Sequence, residues 1–376
     1  MSAPDVLVIG GGIIGCAVAA DAAERGLRVT VLERGRTGEE ASWAAAGMLS
    51  PLAEAVGPGP FLDLLLEARE RFPALAPRLR DATGIDIGYR DEGAIVLALR
   101  PEDDDVLNAR LDWQRGSGLA VERLDAREVL EREPAVTDAV RWGLLYPGDH
   151  QVDARRLSRA FRVLAERRGA VVREGEEVRE ISIRGGRAIG VLLADGAREE
   201  GATVVVAGGA WSGRLHGLPR PLPLRPVHGQ LAAVEHLPPL FRHIVTAAGI
   251  YAVPRADGRM VLGATEEECG FRKAVTPAGL ARVLQGAAAI SPVLGEATLT
   301  GFWSGLRPTT PDRLPVLGAD PEVNGLLYAT GHHRNGILLA PITGELIGAM
   351  AAGEEPALDL GPYGAGRFGD DPEPYC

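Results

Sequence analysis

Apolar residues along this chain follow two rhythms, short unbroken runs and strict alternation. Asp5–Ile9 (DVLVI) is an unbroken apolar run, the pattern of a strand buried on both faces of a parallel sheet. A helical pattern over Ile14–Arg25 follows, stopped by Gly26, and a second run, Arg28–Leu32, ends at Glu33. Ala202–Ala207 and Gly325–Thr330 have the same character and predict two more strands. Helices are predicted over Leu62–Arg71, most of Pro101–Arg132, Ala154–Gly169, Thr276–Ser291 and Ile337–Ala352, with Gly331–Gly336 as a turn before the last. Alternation predicts strands within Asp86–Leu99 and Val140–Asp153, at Val171-Val172 and Glu177–Ile183, and at Arg187–Leu193 with a turn at Asp195-Gly196. After a proline-rich connector, Pro219–Pro226, it continues at Gln230–Val234, Tyr251–Pro254, Met260–Gly263 and Thr298–Leu306. The implied fold class is α/β, a Rossmann-like nucleotide-binding domain made of discontinuous pieces with a mostly antiparallel β (α+β) domain inserted twice.

Between the first strand and its helix stands Gly10-Gly11-Gly12-Ile13-Ile14-Gly15, a GxGxxG. In that setting Gly10 permits the tight turn, Gly12 lets backbone amides approach a pyrophosphate, and Gly15 lets the helix pack close to the strand. Glu33, at the end of the next strand, is placed to accept hydrogen bonds from ribose hydroxyls. The fingerprint alone does not choose between NAD and FAD. Ala41–Met48 (ASWAAAGM) consists mostly of small side chains, which let a planar ring lie against backbone, and Ser42 offers a hydroxyl to a phosphate. The strand Ala202–Ala207 runs into Gly208-Gly209, the kind of strand end that borders the ligand crevice of an open parallel sheet.

Composition narrows the function classes. The 376 residues suffice for two or three domains. With 40 basic and 51 acidic residues the formal charge is −11, which argues against nucleic acid as a partner. Lys273 is the only lysine, so Walker or Schiff-base lysine chemistry would have to use it, and no phosphate loop precedes it. Cys16, Cys269 and Cys376 are too scattered for a disulfide framework or a clustered metal site; neither Cys269 nor Cys376 has a histidine nearby in sequence. No metal and no cysteine catalysis are expected. The apolar stretch Val6–Ala23 has an acidic lead-in and four glycines, unlike a signal peptide or a membrane span, so a cytoplasmic location is expected.

Six segments then stand in order: GGGIIG, ASWAAAGML, VVVAGGAWS, YAVPRADGRMVLGAT, FWSGLRPTTPDRLPVLG and GHHRNGILLAPITGELIG. Together they resemble the D-amino-acid oxidase family of flavoproteins, most closely its thiamine-pathway glycine oxidases, from about residue 5 to residue 355. The resemblance implies noncovalent FAD; no cysteine lies in Gly301–Asp312, where the covalent subgroup attaches its flavin. It implies an FAD-binding domain of residues 1–85, 150–222 and 308–365, a substrate-binding domain of 86–149 and 223–307, and a tail of 366–376. Besides Gly10, Gly12, Gly15 and Gly208, the implied flavin contacts are Ile13, Ile14, Glu33, Arg34, Ser42, Ala46, Gly47, Met48 and Val178. His332, His333, Arg334, Asn335, Gly336, Ile337 and Leu338 match the segment around the flavin's pyrimidine edge. Arg307 matches the clamp on a substrate carboxylate and Tyr251 its helper; Arg334, in the turn before the last helix, is a candidate for added positive charge or a further substrate contact.

The activity so implied is oxidative deamination of glycine or another small amino acid, by hydride transfer from Cα to flavin N5. Oxygen reoxidises the flavin to give hydrogen peroxide, and the imine is hydrolysed to an oxo acid (glyoxylate from glycine) and ammonia or passed on to thiazole synthesis. That scheme needs no general base, so no catalytic residue is nominated, His332 and His333 included. The partners implied are the amino acid, oxygen, further copies of the chain in a homo-oligomer, and a thiazole synthase. The alternatives are a dehydrogenase passing electrons to a quinone, a sarcosine-oxidase-like demethylase, a redox-inactive NAD-binding module and a noncatalytic assembly subunit. Gly249 and Glu266 replace a histidine and a methionine seen at matching family positions near the substrate.

Overall fold

The computed structural model describes residues 3–55 and 57–369; residues 370–376, most of the expected tail and Cys376 with it, lie outside them. The unbroken apolar runs form the centre of a six-stranded sheet. Its order is Val316–Ala319, Leu326–Thr330, Thr203–Val206, Val6–Ile9, Val29–Glu33, Val171–Glu174, all parallel except the first pair. The runs are unbroken because both faces are covered. Val6 and Val8 pack into one cluster with the helices Ile13–Glu24, Ala154–Arg167 and Gly336–Ala351, while Leu7 and Ile9 point the other way. There they meet Ile181, Ala188, Val191 and Leu193 of a three-stranded antiparallel sheet, Val178–Arg184, Arg187–Leu193 and Arg198–Glu200.

The alternating segments build an eight-stranded sheet. Its order is Thr298–Thr309, Arg225–Glu235, Arg259–Gly263, Ile250–Pro254, Ile244–Ala247, Ala94–Ala98, Trp142–Tyr146, Glu122–Asp125, with one parallel pair where Ile244–Ala247 meets Ala94–Ala98. The helix Pro277–Ile290 covers it through Val283, Ala287 and Ile290, and Thr276 caps that helix by accepting the Gly279 amide at 3.2 Å. The fold class is thus α/β, with a Rossmann-like sheet and a second, mostly antiparallel sheet. The expected boundary between 307 and 308 falls inside the continuous strand Thr298–Thr309. No helix among the described residues is long and apolar enough to cross a membrane.

Five segments differ from expectation. Pro101–Arg132 is two helices, Asp103–Gly116 and Ala126–Arg132, separated by the edge strand Glu122–Asp125. Asp125 ends that strand and opens the next helix through a capping box with Glu128, both bonds at 2.8 Å. Phe72–Thr83 is a further helix, hidden in the sequence by Pro73 and Pro77. Strands Ile244–Ala247 and Val316–Ala319 are too short for their period to register. At the other end, Ala365–Phe368 is a 3-10 turn held by an Arg367–Asp312 ion pair at 2.8 Å, so the tail's first residues are built into the fold.

Candidate active site

At the carboxyl ends of the central parallel strands a cavity of about 530 Å³ runs from Glu33 and Val178 past the glycine turn to the segment His332–Arg334. The turn is tight as its sequence requires. Gly10 has φ 104°, and a β-carbon on Gly15 would lie 2.0 Å from the Gly10 carbonyl oxygen. Glu33 organises the turn: one carboxylate oxygen accepts the Gly11 amide at 2.7 Å and the other the Gly35 amide at 2.9 Å. A carboxylate has about four acceptor positions, so two stay available to the cavity. Ser42 Oγ accepts the Ile13 amide at 3.0 Å, which leaves its own O–H free to donate. Arg34 stacks on Trp211, 3.6 Å from the ring centroid, and pairs with Glu40 at 3.0 Å.

A smaller pocket of about 90 Å³ adjoins this cavity, and Ala41, Ala45, Leu306, His333, Arg334 and Ile337 border both. Arg307 projects into it from the long edge strand. Its Nη1 donates to the Thr265 carbonyl at 3.2 Å, and among the described residues no carboxylate pairs with it. Desolvation pulls its pKa below the ordinary arginine value, the mark of a cation short of counter-charge. Room for it comes from Gly229 on the neighbouring strand, where a β-carbon would lie 2.5 Å from Arg307 Nη1. The buried Tyr251 lines the same pocket, and burial raises its pKa, so its hydroxyl stays a donor. Across the pocket, Arg334 pairs with Glu54 at 2.7 Å.

The two histidines are neutral parts of the wall. Burial pushes both down to about 3, and Arg307 and Arg334 add to the shift for His333. The Thr309 hydroxyl donates to the Arg307 carbonyl at 3.3 Å, so it accepts from His333 Nδ1 at 2.8 Å. His333 Nε2 is then a buried acceptor with no partner, in a residue held at φ 48° beside the cavity.

This arrangement has known counterparts. A profile of the FAD dependent oxidoreductase family matches residues 5–350. The chain belongs to that family. It is 40% identical over 366 residues to a glycine oxidase of Geobacillus kaustophilus, covering 96% of this chain and 97% of the relative. It is 37% identical to a bifunctional protein ThiO/ThiG of Synechocystis, covering 97% of this chain and 54% of that longer protein. Among solved structures, glycine oxidase from Geobacillus kaustophilus superposes with a TM-score of 0.94 at 38% identity, over 98% of this chain and 99% of that one. Iminodiacetate oxidase from Chelativorans gives 0.87 at 29% identity, over 96% and 98%.

As a member of this family the protein uses FAD, and the residues present fit it. The glycine turn, the spare acceptor positions of Glu33, the free Ser42 hydroxyl and the orphaned His333 Nε2 are groups a dinucleotide's pyrophosphate, ribose and ring would engage. Of the expected flavin residues, Gly10, Gly12, Ile13, Ile14, Glu33, Arg34, Ser42, Val178, Gly208, His332, His333, Arg334, Gly336 and Ile337 line the large cavity. Ala46, Gly47, Met48 and Asn335 line the small pocket instead, with Arg307 and Tyr251. Gly15 and Leu338 line neither; Gly15 sits under the turn and the Leu338 side chain is in the core. Gly249 and Glu266 also line neither; Gly249 is in a hairpin turn and Glu266 pairs with Arg313 at 3.2 Å. Sequence reasoning missed Glu54, Ser50 and Gly229, none of which carries a motif, and gave Trp211 no role although it stands in the segment VVVAGGAWS.

The depressed histidines make stability pH-dependent. A base whose pKa is lowered on folding contributes stability that is whole above its unfolded value near 6.5 and is lost as pH falls toward 3. Each such histidine costs up to about 1.4 kcal/mol per pH unit in that window. The melting temperature is expected to fall from pH 7 to pH 5, with a shallower slope in His332→Gln whatever its stability at pH 7. Equal slopes would mean that His332 titrates normally.

Proposed function

We propose that this flavoprotein oxidises glycine or another small amino acid, with oxygen as electron acceptor. The observation that carries the reading is Arg307, a cation with no carboxylate partner among the described residues, in a pocket of about 90 Å³ opening on the dinucleotide cavity. A guanidinium offers a carboxylate two parallel charge-assisted bonds, fixing orientation as well as charge. Tyr251 is assigned to donate to the same carboxylate. The pocket's volume and its walls of Ala41, Ala44, Ala46 and Leu306 suit a substrate whose side chain is hydrogen or one or two carbons. Because Glu54 and Arg334 neutralise each other, Arg307 carries the pocket's uncompensated charge. Pushed down to about 3, the histidines are too weak as bases to take a proton from the amine, and no side chain is assigned as a general base.

Bound FAD would take the hydride from the substrate Cα and pass the electrons on. The chain's part is to hold Cα in place, keep water out, and offer the amide N–H groups at the start of the helix Gly336–Ala351 to negative charge. Leu338 would contribute through its backbone, consistent with a side chain turned to the core. We assign FAD binding to residues 1–85, 150–222 and 308–365 and substrate binding to 86–149 and 223–307. Homo-oligomeric assembly is part of the reading, checked by sedimentation. Delivery of the imine to a thiazole synthase is supported by the relative whose name joins ThiO to ThiG.

A panel of glycine, sarcosine, D-alanine and D-proline with peroxide detection tests the reading. Peroxide formation from at least one is expected. Substrate-reduced enzyme that stays reduced in aerated buffer until a quinone is added would replace the oxidase with a dehydrogenase. Gly229→Ala is expected to raise KM for the amino acid roughly tenfold or more, since its β-carbon takes the space of the Arg307 guanidinium. Flavin content should be unchanged, and an unaltered KM would disconnect Arg307 from substrate.

A further inference from the structure

Gly229 and Leu231 line the substrate pocket, so His228 and Gln230, their neighbours on the strand, project from its other face. There the segment after Gly263 runs back alongside. His228 and Glu267 exchange both backbone hydrogen bonds, each at 2.9 Å, which sets their side chains next to one another. Cys269, two residues on, comes to the same place: one ligand atom each from His228, Glu267 and Cys269 lie within 4.8 Å of one another.

The histidine in this group is poorly satisfied. It is 1% exposed, its Nε2 is buried without a partner, and its Nδ1 lies 3.3 Å from Glu267 Oε2. That is long for a bond to a carboxylate. It is close to the edge, about 3.3 Å, of a tetrahedron of donors bound at 2.0–2.1 Å. Glu267 and Cys269 are only partly buried, so an ion has a way in and a place for water as a further ligand. With the Cys269 thiol proton released to solvent, one carboxylate and one thiolate balance a dication, so the loaded site beside buried His228 carries no net charge. The scaffold is fixed: Gln230 Nε2 donates to the other Glu267 oxygen at 2.8 Å, and the Gln230 side-chain oxygen accepts the Thr276 amide at 2.8 Å.

We propose that His228, Glu267 and Cys269 form a binding site for one divalent cation of the zinc class. A donor set of imidazole nitrogen, carboxylate oxygen and thiolate sulfur favours Zn²⁺, Co²⁺ or Cd²⁺ over Mg²⁺ or Ca²⁺. An ion there braces the segment from Thr265 to Cys269. Thr265 holds Arg307 through its carbonyl at 3.2 Å and accepts the Gln230 amide on its hydroxyl at 2.9 Å.

The test is Zn²⁺ titration of tag-free, FAD-loaded protein, kept reduced with a phosphine, by calorimetry and by equilibrium dialysis with metal analysis. One equivalent is expected to bind and to raise the melting temperature, because the ion binds the folded state. Cys269→Ser and Glu267→Gln, both at partly exposed positions, should each weaken binding by at least about tenfold, while Cys376→Ser does not. Co²⁺ should compete and show tetrahedral d–d bands to the red of the flavin absorption. No saturable binding overturns the proposal. So does affinity unchanged in Cys269→Ser, loss that follows Cys376 instead, or equal competition by Mg²⁺.

Discussion

Arg307→Ala is expected to lower kcat/KM for the amino acid by roughly 10²–10³-fold, the equivalent of about 3–4 kcal/mol for a desolvated charge-assisted contact. The size follows from the site. Among the described residues Arg307 has no carboxylate partner, its Nη1 donates to the Thr265 carbonyl, and burial already disfavours its charge. A carboxylate arriving there relieves a cation that has forgone its hydration. Alanine removes both the attraction and the orientation of Cα, so kcat and KM should both suffer. Flavin content and the visible spectrum should stay near normal, since Arg307 lines only the small pocket. A loss under about tenfold would show that another group binds the carboxylate. Arg307→Lys should recover only part of the activity, because an ammonium keeps the charge but not the planar fork.

Glu33→Ala should act on the cofactor instead. Glu33 holds the glycine turn by accepting the Gly11 and Gly35 amides, at 2.7 and 2.9 Å, and keeps acceptor positions toward the cavity. Hydrogen bonds to a charged group contribute about 1.5–3 kcal/mol each. Losing them loosens the turn before FAD arrives and removes the acceptor proposed for its ribose. FAD affinity is expected to fall by at least about tenfold, read by titrating apoprotein, while turnover per bound flavin changes little. Undiminished affinity would remove Glu33 from the cofactor site. The two variants separate the cavities: one loses substrate and keeps flavin, the other loses flavin and keeps its chemistry.

The nucleotide end was legible because its interactions are local. Strand, glycine turn, helix, strand and acid occupy Val6–Glu33 without interruption, and the turn's geometry leaves little choice of residue at Gly10 and Gly15. The long unbroken or alternating runs likewise declared which strands are covered on both faces. What escaped were elements whose signals were short or contradictory. Phe72–Thr83 is helical despite two prolines because Phe72 and Leu79 reach the main core, and four-residue strands have too few positions to show a period.

The substrate pocket was only partly legible. Arg307 stood out by its family match and its place after GFWSGL, but nothing in sequence shows that Gly229 clears its space or that Glu54, 280 residues away, engages Arg334. The three cysteines gave no hint of a metal site, being scattered and far from any histidine in sequence. Strand pairing brought His228 and Glu267 face to face and carried Cys269 with them. By itself the sequence determined the fold class, the nucleotide turn and the family, since each rests on periodicity or on contiguous residues. The tertiary structure alone decided which charges are compensated, which glycines make room and which distant donors converge. Those follow from the register of neighbouring strands, and register is set by long-range pairing rather than by the residues on either side.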